Sequence, residues 1–197
     1  MNVSVAVMAH PSRRAWVADL QRELGDVPVA WATRPWATRG NRESCWRTKR
    51  AALLLHTDAP FHCVVQDDAI LCTEFLERID ELVAHGEFVF SLFYRHKRTW
   101  PIAIDRANQA LRRGLDHFVM NGNVLGVAVI VPTHWIADVI SFCDELPAHL
   151  GDDDRMKLWA RERGHETLFP LPSLVDHRVG PSLIGHPPER VAWRFAS

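Results

Sequence analysis

The chain has no CxxC pair, no apolar run of membrane-spanning length, and almost no net charge. Its four cysteines, Cys45, Cys63, Cys72 and Cys143, fall inside segments that read as helices or strands. Buried free thiols are therefore expected, and zinc ligation or disulfides are not. Free thiols fit a reducing compartment, so a cytoplasmic location is expected. A formal net charge of -1 gives no general field for nucleic acid, and any polyanion would have to be met by local clusters. The apolar start from Val3 to Ala9 has no basic region before it and is too short for a signal peptide, so it reads as a strand. No membrane span is expected.

What is present is an ordinary globular composition. At 197 residues, 47% hydrophobic and 24% charged, the chain suits one domain with a sizeable core. Positive charge gathers in two places. One is Arg34, Arg39, Arg42, Arg47, Lys49 and Arg50 with Trp36 and Trp46 among them, and the other is Arg95-His96-Lys97-Arg98 followed by Trp100.

Apolar runs and helical periodicities alternate along the sequence. Asn2–Met8, Val27–Trp31, Phe61–Val65, Phe88–Phe93, Leu125–Val131 and Thr167–Leu171 read as strands. Ser12 is placed to cap a helix carrying Trp16, Val17, Leu20 and Leu24, which Gly25 ends. Further helices are expected over Glu43–His56, after a Thr73 cap, around Arg106–Arg113, from a Thr133 cap to Leu146, and over Asp152–Arg163, ended by Gly164. The stretch from 95 to 120 reads as a loop carrying the short helix. Strands alternating with helices imply an α/β sandwich with a mostly parallel sheet, whose ligand lies at the strands' carboxyl ends.

Gln66-Asp67-Asp68 ends the apolar run Phe61–Val65. Adjacent carboxylates at a strand's carboxyl end can hold a hard divalent cation, and such a cation can hold phosphates. A nucleotide or a sugar nucleotide is thus the first ligand to consider. Four more features follow the same order: His10-Pro11-Ser12-Arg13 after the first strand, Asn121-Gly122-Asn123-Val124-Leu125-Gly126, Gly151-Asp152-Asp153-Asp154 opening a helix, and Pro172-Ser173-Leu174-Val175-Asp176-His177-Arg178. Together they resemble the GT-A fold glycosyltransferases, particularly the small ones related to family 25 and to bacterial and phage enzymes. The resemblance spans about residues 3 to 180 and implies a single-domain, GT-A-like (Rossmann-like) α/β/α sandwich over residues 1–180, with 181–197 as a C-terminal tail.

The resemblance implies roles. Ala9, His10, Pro11 and Arg13 would hold the nucleotide, and Arg42, Arg47 or Lys49 would meet the diphosphate. Asp68 and His177 would bind Mn²⁺ or Mg²⁺. Gln66 stands where the family often has an acidic residue, so it and Asp67 would bond the donor or support the metal. Gly122 and Asn123 would lie close to the donor sugar, since glycine permits close backbone approach. Asp153, with Asp152 and Asp154 as neighbours, would be the general base, although aspartates also cap helices. Tyr94, Arg95, Lys97, Arg98 and Trp100 would meet the acceptor, with a hydroxymethylated DNA base of phage type, a protein or a glycan as candidates. The expected reaction is metal-dependent, inverting transfer from a nucleoside-diphosphate sugar to a hydroxyl. A nucleotidyltransferase is the alternative, weakened by the lack of glycine in His10–Arg14. A two-metal nuclease using the same carboxylates, and a binding module without turnover, also stay open.

Overall fold

The computed structural model describes residues 1–36, 42–95, 101–180, 183 and 191–197. In chain order the elements are β1 (Val3–Ala9), α1 (Arg14–Leu24), β2 (Val29–Trp31), α2 (Glu43–Leu53), β3 (Phe61–Gln66), β4 (Ala69–Leu71), α3 (Phe75–Leu82) and β5 (Val89–Ser91). They continue with α4 (Pro101–Arg112), β6 (His117–Asn121), β7 (Ala128–Pro132), α5 (Ile136–Asp144), α6 (Asp152–Glu162), β8 (Glu166–Pro170) and β9 (Val175–His177). Seven strands make one sheet in the order β2-β1-β3-β7-β5-β8-β6, and β4 pairs with β9 beside it. β1 runs parallel to β2 and β3, and β5 runs parallel to β8. β7 opposes β3 and β5, and β6 opposes β8. Five of the seven strands therefore share one direction, and the expected α/β sandwich with a mostly parallel sheet is the observed fold class.

The two-residue period of a strand divides the core. Val3, Val5, Val7 and Ala9 of β1, with Cys63 and Val65 of β3, pack on one face against Val17, Leu20 and Leu24 of α1 and Phe75 and Ile79 of α3. Ala6, Met8 and Val64 point to the other face, against Trp46 and Leu53 of α2, Ile136 and Val139 of α5, and Met156 and Trp159 of α6. A strand covered on both faces needs apolar residues at every position, which is why β1 is unbroken by charge. Each fully buried aliphatic or aromatic side chain of this kind contributes about 1.5–3 kcal/mol of transfer free energy. A third cluster sits at the β6 side, where Ala103, Ala107 and Ala110 of α4 cover Phe118, Phe169 and Tyr94.

The C-terminal residues belong to this packing. Ala192 bridges to Arg95, Phe195 bridges to Ser173, and Trp193 lies against Tyr94.

Several local expectations are corrected. Ser12 is not the cap of the first helical segment; the backbone turns at His10, whose side chain accepts from Ser12 N–H, and a 3-10 turn over Pro11–Arg13 precedes α1. Thr73 does not cap α3, which begins after Glu74 in a left-handed conformation (φ 57°). Thr133 Oγ1 donates to the Ala59 carbonyl at 2.6 Å instead of capping α5. Within the stretch read as a loop, α4 is a full twelve-residue helix and β6 follows it.

Candidate active site

The acidic turn after β3 is a closed ion-pair network. Arg13, delivered by the 3-10 turn after β1, places Nη1 at 2.7 Å from Asp67 Oδ1 and 2.6 Å from Asp68 Oδ2. The other oxygen of Asp67 accepts from His10 N–H at 2.7 Å. Asp67 is fully buried and Asp68 nearly so. Burial, then the charge of Asp68, pushes Asp67 up to about 6 despite the His10 amide and Arg13. For Asp68 burial also acts upward, but the His177 hydrogen bond and charge together with Arg13 outweigh it and hold the carboxyl below its ordinary value. Arg13 also stacks on Trp16 at 4.7 Å.

His177 completes this turn from β9, whose pairing with β4 aligns His177 with Ala69, next to Asp68. Its Nδ1 donates to the Arg178 carbonyl at 2.8 Å, which leaves Nε2 facing Asp68 Oδ2 at 3.3 Å. Two electron-rich atoms at that distance require a proton or a cation between them. Asp68 Oδ1 is buried without a hydrogen-bond partner. An imidazole nitrogen with a fixed tautomer beside an unspent carboxylate oxygen fits a divalent cation, and Arg13 already shares the same carboxylate.

A separate cleft of about 210 Å³ opens where β3 ends, β7 begins and α6 starts. Arg42, Cys45, Gln66, Phe93, Arg95, Gly126, Asp152, Asp153, Asp154 and Lys157 are among the residues that line it. The antiparallel course of β7 brings the Leu125–Val127 segment to the carboxyl end of β3, where Gln66 N–H donates to the Val127 carbonyl at 2.7 Å. The β-carbon of any residue other than glycine at Gly126 would collide with Asp153 Oδ1, so glycine here admits a carboxylate against the backbone.

The three aspartates of α6 differ sharply. Asp152 is buried and receives Cys45 Sγ–H at 3.1 Å and Gln66 Nε2–H at 3.3 Å, with Lys49 Nζ 3.9 Å away. Burial and Asp152 push the Cys45 thiol well up, which keeps it a donor. Lys49 is fully buried on α2 and also donates to the Gly126 carbonyl at 3.1 Å. Asp153 Oδ1 is buried with no partner. Burial and the charge of Asp152 raise its carboxyl above the ordinary range, only partly offset by Lys157, Lys49 and the nearby Gly126 backbone amide. Asp154 pairs with Lys157 at 3.5 Å and is half exposed. Gly151 precedes the helix, and no aspartate side chain caps it.

The sequence-derived site residues are thus distributed unevenly. Gln66, Asp152, Asp153, Asp154, Arg42 and Arg95 meet in the cleft; Arg13, Asp67, Asp68 and His177 meet in the neighbouring network, with Phe93 of the cleft wall against the His177 ring at 6.4 Å between centroids. Ala9 is buried and Pro11 exposed, and both stand beside the network rather than in the cleft. His10 neighbours Trp36 edge-on; burial and Arg13 lower its pKa and favour the neutral ring that accepts from Ser12. Arg47 points outward to Glu43 and is 64% exposed. Lys49, expected to meet the diphosphate, is instead fully buried and does not line the cleft, its charge being matched from Asp152 across the fold. Gly122, at φ 54°, packs against Arg161 of α6, and Asn123 bonds its own turn at Asn121; neither lines the cleft.

Tyr94 is fully buried in the aromatic cluster, which removes it from any accessible acceptor surface. Lys97, Arg98 and Trp100, like Arg39, lie outside the described residues. The sequence reading missed Cys45 and Lys157 as cleft residues, while the Asn121–Gly126 segment it singled out reaches the cleft through Leu125 and Gly126. Lys157 was reachable from its helical spacing to Asp153 and Asp154, whereas no local signal marks Cys45.

No protein-family model matches the chain, and no curated protein matches it. Among solved structures the chain is similar to A197 from STIV, with a TM-score of 0.52 and 12% identity over 90% of this chain and 86% of that one. At that identity the likeness bears on the fold alone. Similar structures also include GT-A-type glycosyltransferases. One is a Drosophila β-1,4-galactosyltransferase 7 mutant in complex with manganese, UDP-Gal and xylobiose, with a TM-score of 0.44 and 8% identity over 88% of this chain and 70% of that one. Another is mouse xyloside xylosyltransferase 1 in its apo form, with a TM-score of 0.36 and 14% identity over 81% of this chain and 68% of that one.

Proposed function

We propose that the chain is a glycosyltransferase that moves a sugar from a nucleoside-diphosphate donor to an acceptor hydroxyl. The observation that carries this reading is Asp153, a carboxylate with an unpartnered buried oxygen on a cleft at the carboxyl end of β3. Its raised pKa suits a base that must accept a proton near neutral pH. Arg42, Arg95 and Lys157 line the same cleft and supply positive charge for phosphates. The order of motifs in the sequence supports the same assignment.

In this reading Asp153 takes the acceptor hydroxyl's proton as that oxygen attacks the anomeric carbon, and the diphosphate leaves toward the arginine side of the cleft. Asp152 is a positioning residue: Cys45, Gln66 and Lys49 hold it, and its negative charge raises the basicity of Asp153. Asp68 and His177 would hold the divalent cation, which would supply charge against the departing diphosphate. Arg13 pairs with both carboxylates of that turn. Attack with Asp153 on the opposite side from the leaving group corresponds to inversion.

The acceptor is a hydroxyl compound reaching the cleft beside Arg95. With Tyr94 buried, stacking on an extended nucleic acid loses one of its two aromatic supports, and glycan or protein acceptors gain by comparison. A two-metal nuclease is disfavoured because both oxygens of Asp67 are already engaged. The test is slow hydrolysis of a panel of nucleotide sugars, with and without Mn²⁺, which requires no acceptor. One donor is expected to be hydrolysed in a metal-stimulated manner and spared by Asp153→Asn. If no nucleotide sugar is bound or hydrolysed, the proposal fails.

A further inference from the structure

A second group of ligating side chains lies away from the cleft. α3 continues through a 3-10 turn over Val83–His85, and its last residue meets the turn that leads into β6, the edge strand of the main sheet. There Asp116 Oδ1 is 2.8 Å from His117 Nδ1, and Oδ2 is 3.8 Å from His85 Nε2. The two imidazole rings lie 4.4 Å apart between centroids at 52°. One ligand atom from each residue falls within 4.8 Å of the other two. None of the three lines the Asp153 cleft.

We propose that His85, Asp116 and His117 form a binding site for a divalent transition-metal ion of the zinc class. Two imidazole nitrogens and one carboxylate oxygen make a borderline ligand set that favours such ions over Mg²⁺ or Ca²⁺. Tetrahedral bonds of about 2.0–2.1 Å set ligand atoms about 3.4 Å apart, so closing on an ion takes shifts on the order of an ångström. The side chains have that freedom, being 34%, 73% and 23% exposed for His85, Asp116 and His117. A simple ion pair with Asp116 would account for one histidine; it leaves the convergence of the second without a cause. The adjoining groove adds negative potential, since Glu74, Glu77 and Glu81 line it with Arg78 as the one arginine among its lining residues. Glu77, Glu81 and His85 follow one another at four-residue spacing, which runs that acidic line up to the site. The ion would fasten the end of α3 to the start of β6, and by binding the folded state alone it would stabilise that edge by mass action.

The test is calorimetric titration of the full chain with ZnCl₂ and, separately, MnCl₂, together with thermal melts at saturating Zn²⁺. Wild type, His85→Gln, His117→Gln, Asp116→Asn and the double variant Asp68→Asn/His177→Gln are compared, each checked for native circular dichroism. The expected result is one Zn²⁺ per chain that depends on the trio, separate from any ion held at Asp68 and His177, and a Zn²⁺-dependent rise in Tm that depends on the trio as well. Both are to weaken by about tenfold or more in affinity in each variant of the trio, and both are to persist in the Asp68/His177 double variant. Zn²⁺ binding that is absent in wild type, or unchanged in His85→Gln and His117→Gln, or lost only in the Asp68/His177 variant, overturns the proposal. That last outcome would leave the donor-site reading intact, so the two proposals fail separately.

Discussion

The molecule holds two runs of adjacent aspartates, Asp67-Asp68 and Asp152-Asp153-Asp154, and they are treated differently. Asp67 and Asp68 are locked by one guanidinium, a backbone amide and a histidine. Asp152 and Asp153 share no such clamp: one is held by a thiol, an amide and a distant lysine, and the other keeps a buried oxygen unspent. Asp67 has both oxygens engaged and is a structural group, while Asp68 keeps Oδ1 unpartnered beside His177, the oxygen left for a cation. Burial raises the proton affinity of both Asp67 and Asp153, but only Asp153 combines it with an unpartnered oxygen on the cleft, where the group is available to act. Under the proposed function, the contrast places chemistry on α6 and ion-holding at the β3 turn.

The most severe way to break that contrast is at Asp153. Asp153→Asn is expected to lower donor turnover by about a hundredfold or more while leaving donor affinity within a few-fold, and Asp154→Asn should change turnover by about threefold at most. Steady-state kinetics with equilibrium donor titration check both. Equal losses in the two variants would dissolve the distinction between the underpaired and the solvated carboxylate.

Removing the clamp tests the other half. Arg13→Met leaves two buried carboxylates without their shared cation, and a loss of about 3 kcal/mol or more in unfolding free energy is expected, read from denaturant melts. A loss below about 1 kcal/mol would mean that Asp67 and Asp68 are not held as the geometry indicates. Next in size, Asp68→Asn/His177→Gln should make donor affinity insensitive to Mn²⁺, removing an enhancement of about tenfold. Unchanged Mn²⁺ dependence in calorimetry would move the cation elsewhere.

The smallest effect is a pH dependence of stability. The folded pKa of Asp67 is raised to about 6, so between about pH 4 and 6 the folded state keeps a proton that the unfolded chain has released. Its contribution to stability is therefore full below about pH 4 and is lost as pH rises through 6, and Asp153 acts in the same direction. Asp67→Asn should flatten the fall in Tm across that window. A fall of undiminished size in the variant would assign the titration to other groups.

Much of the scaffold was legible before the structure, and the reason is local. β1 and β3 carry no formal charge and are apolar apart from Ser4, His62 and Gln66, because both their faces are covered, and α1, α3 and α5 carry apolar stripes at helical spacing. β4 and β9 were not legible as strands, because three-residue strands leave no periodicity to read. Caps were misread where another partner won: Thr133's hydroxyl went to the distant Ala59, and a histidine two residues earlier took the capping role expected of Ser12. The site divided along the same line. Asp67, Asp68 and Asp152–Asp154 announced themselves by clustering in sequence. The burial of Lys49 did not, since its matching charge comes from residues far along the chain.

The contacts that shape the cleft have a consequence for how the chain comes together. Cys45 reaches Asp152 across 107 positions, Gln66 reaches Asp152 across 86, and Lys49 reaches Gly126 across 77. Contacts of such separation carry a large loop-closure entropy and form after the local ones. During synthesis the first strands and helices can associate early, but Lys49 stays without its acidic counterpart until α6 has left the ribosome. The cleft is thus a part of the fold that exists only once the chain has been made through α6.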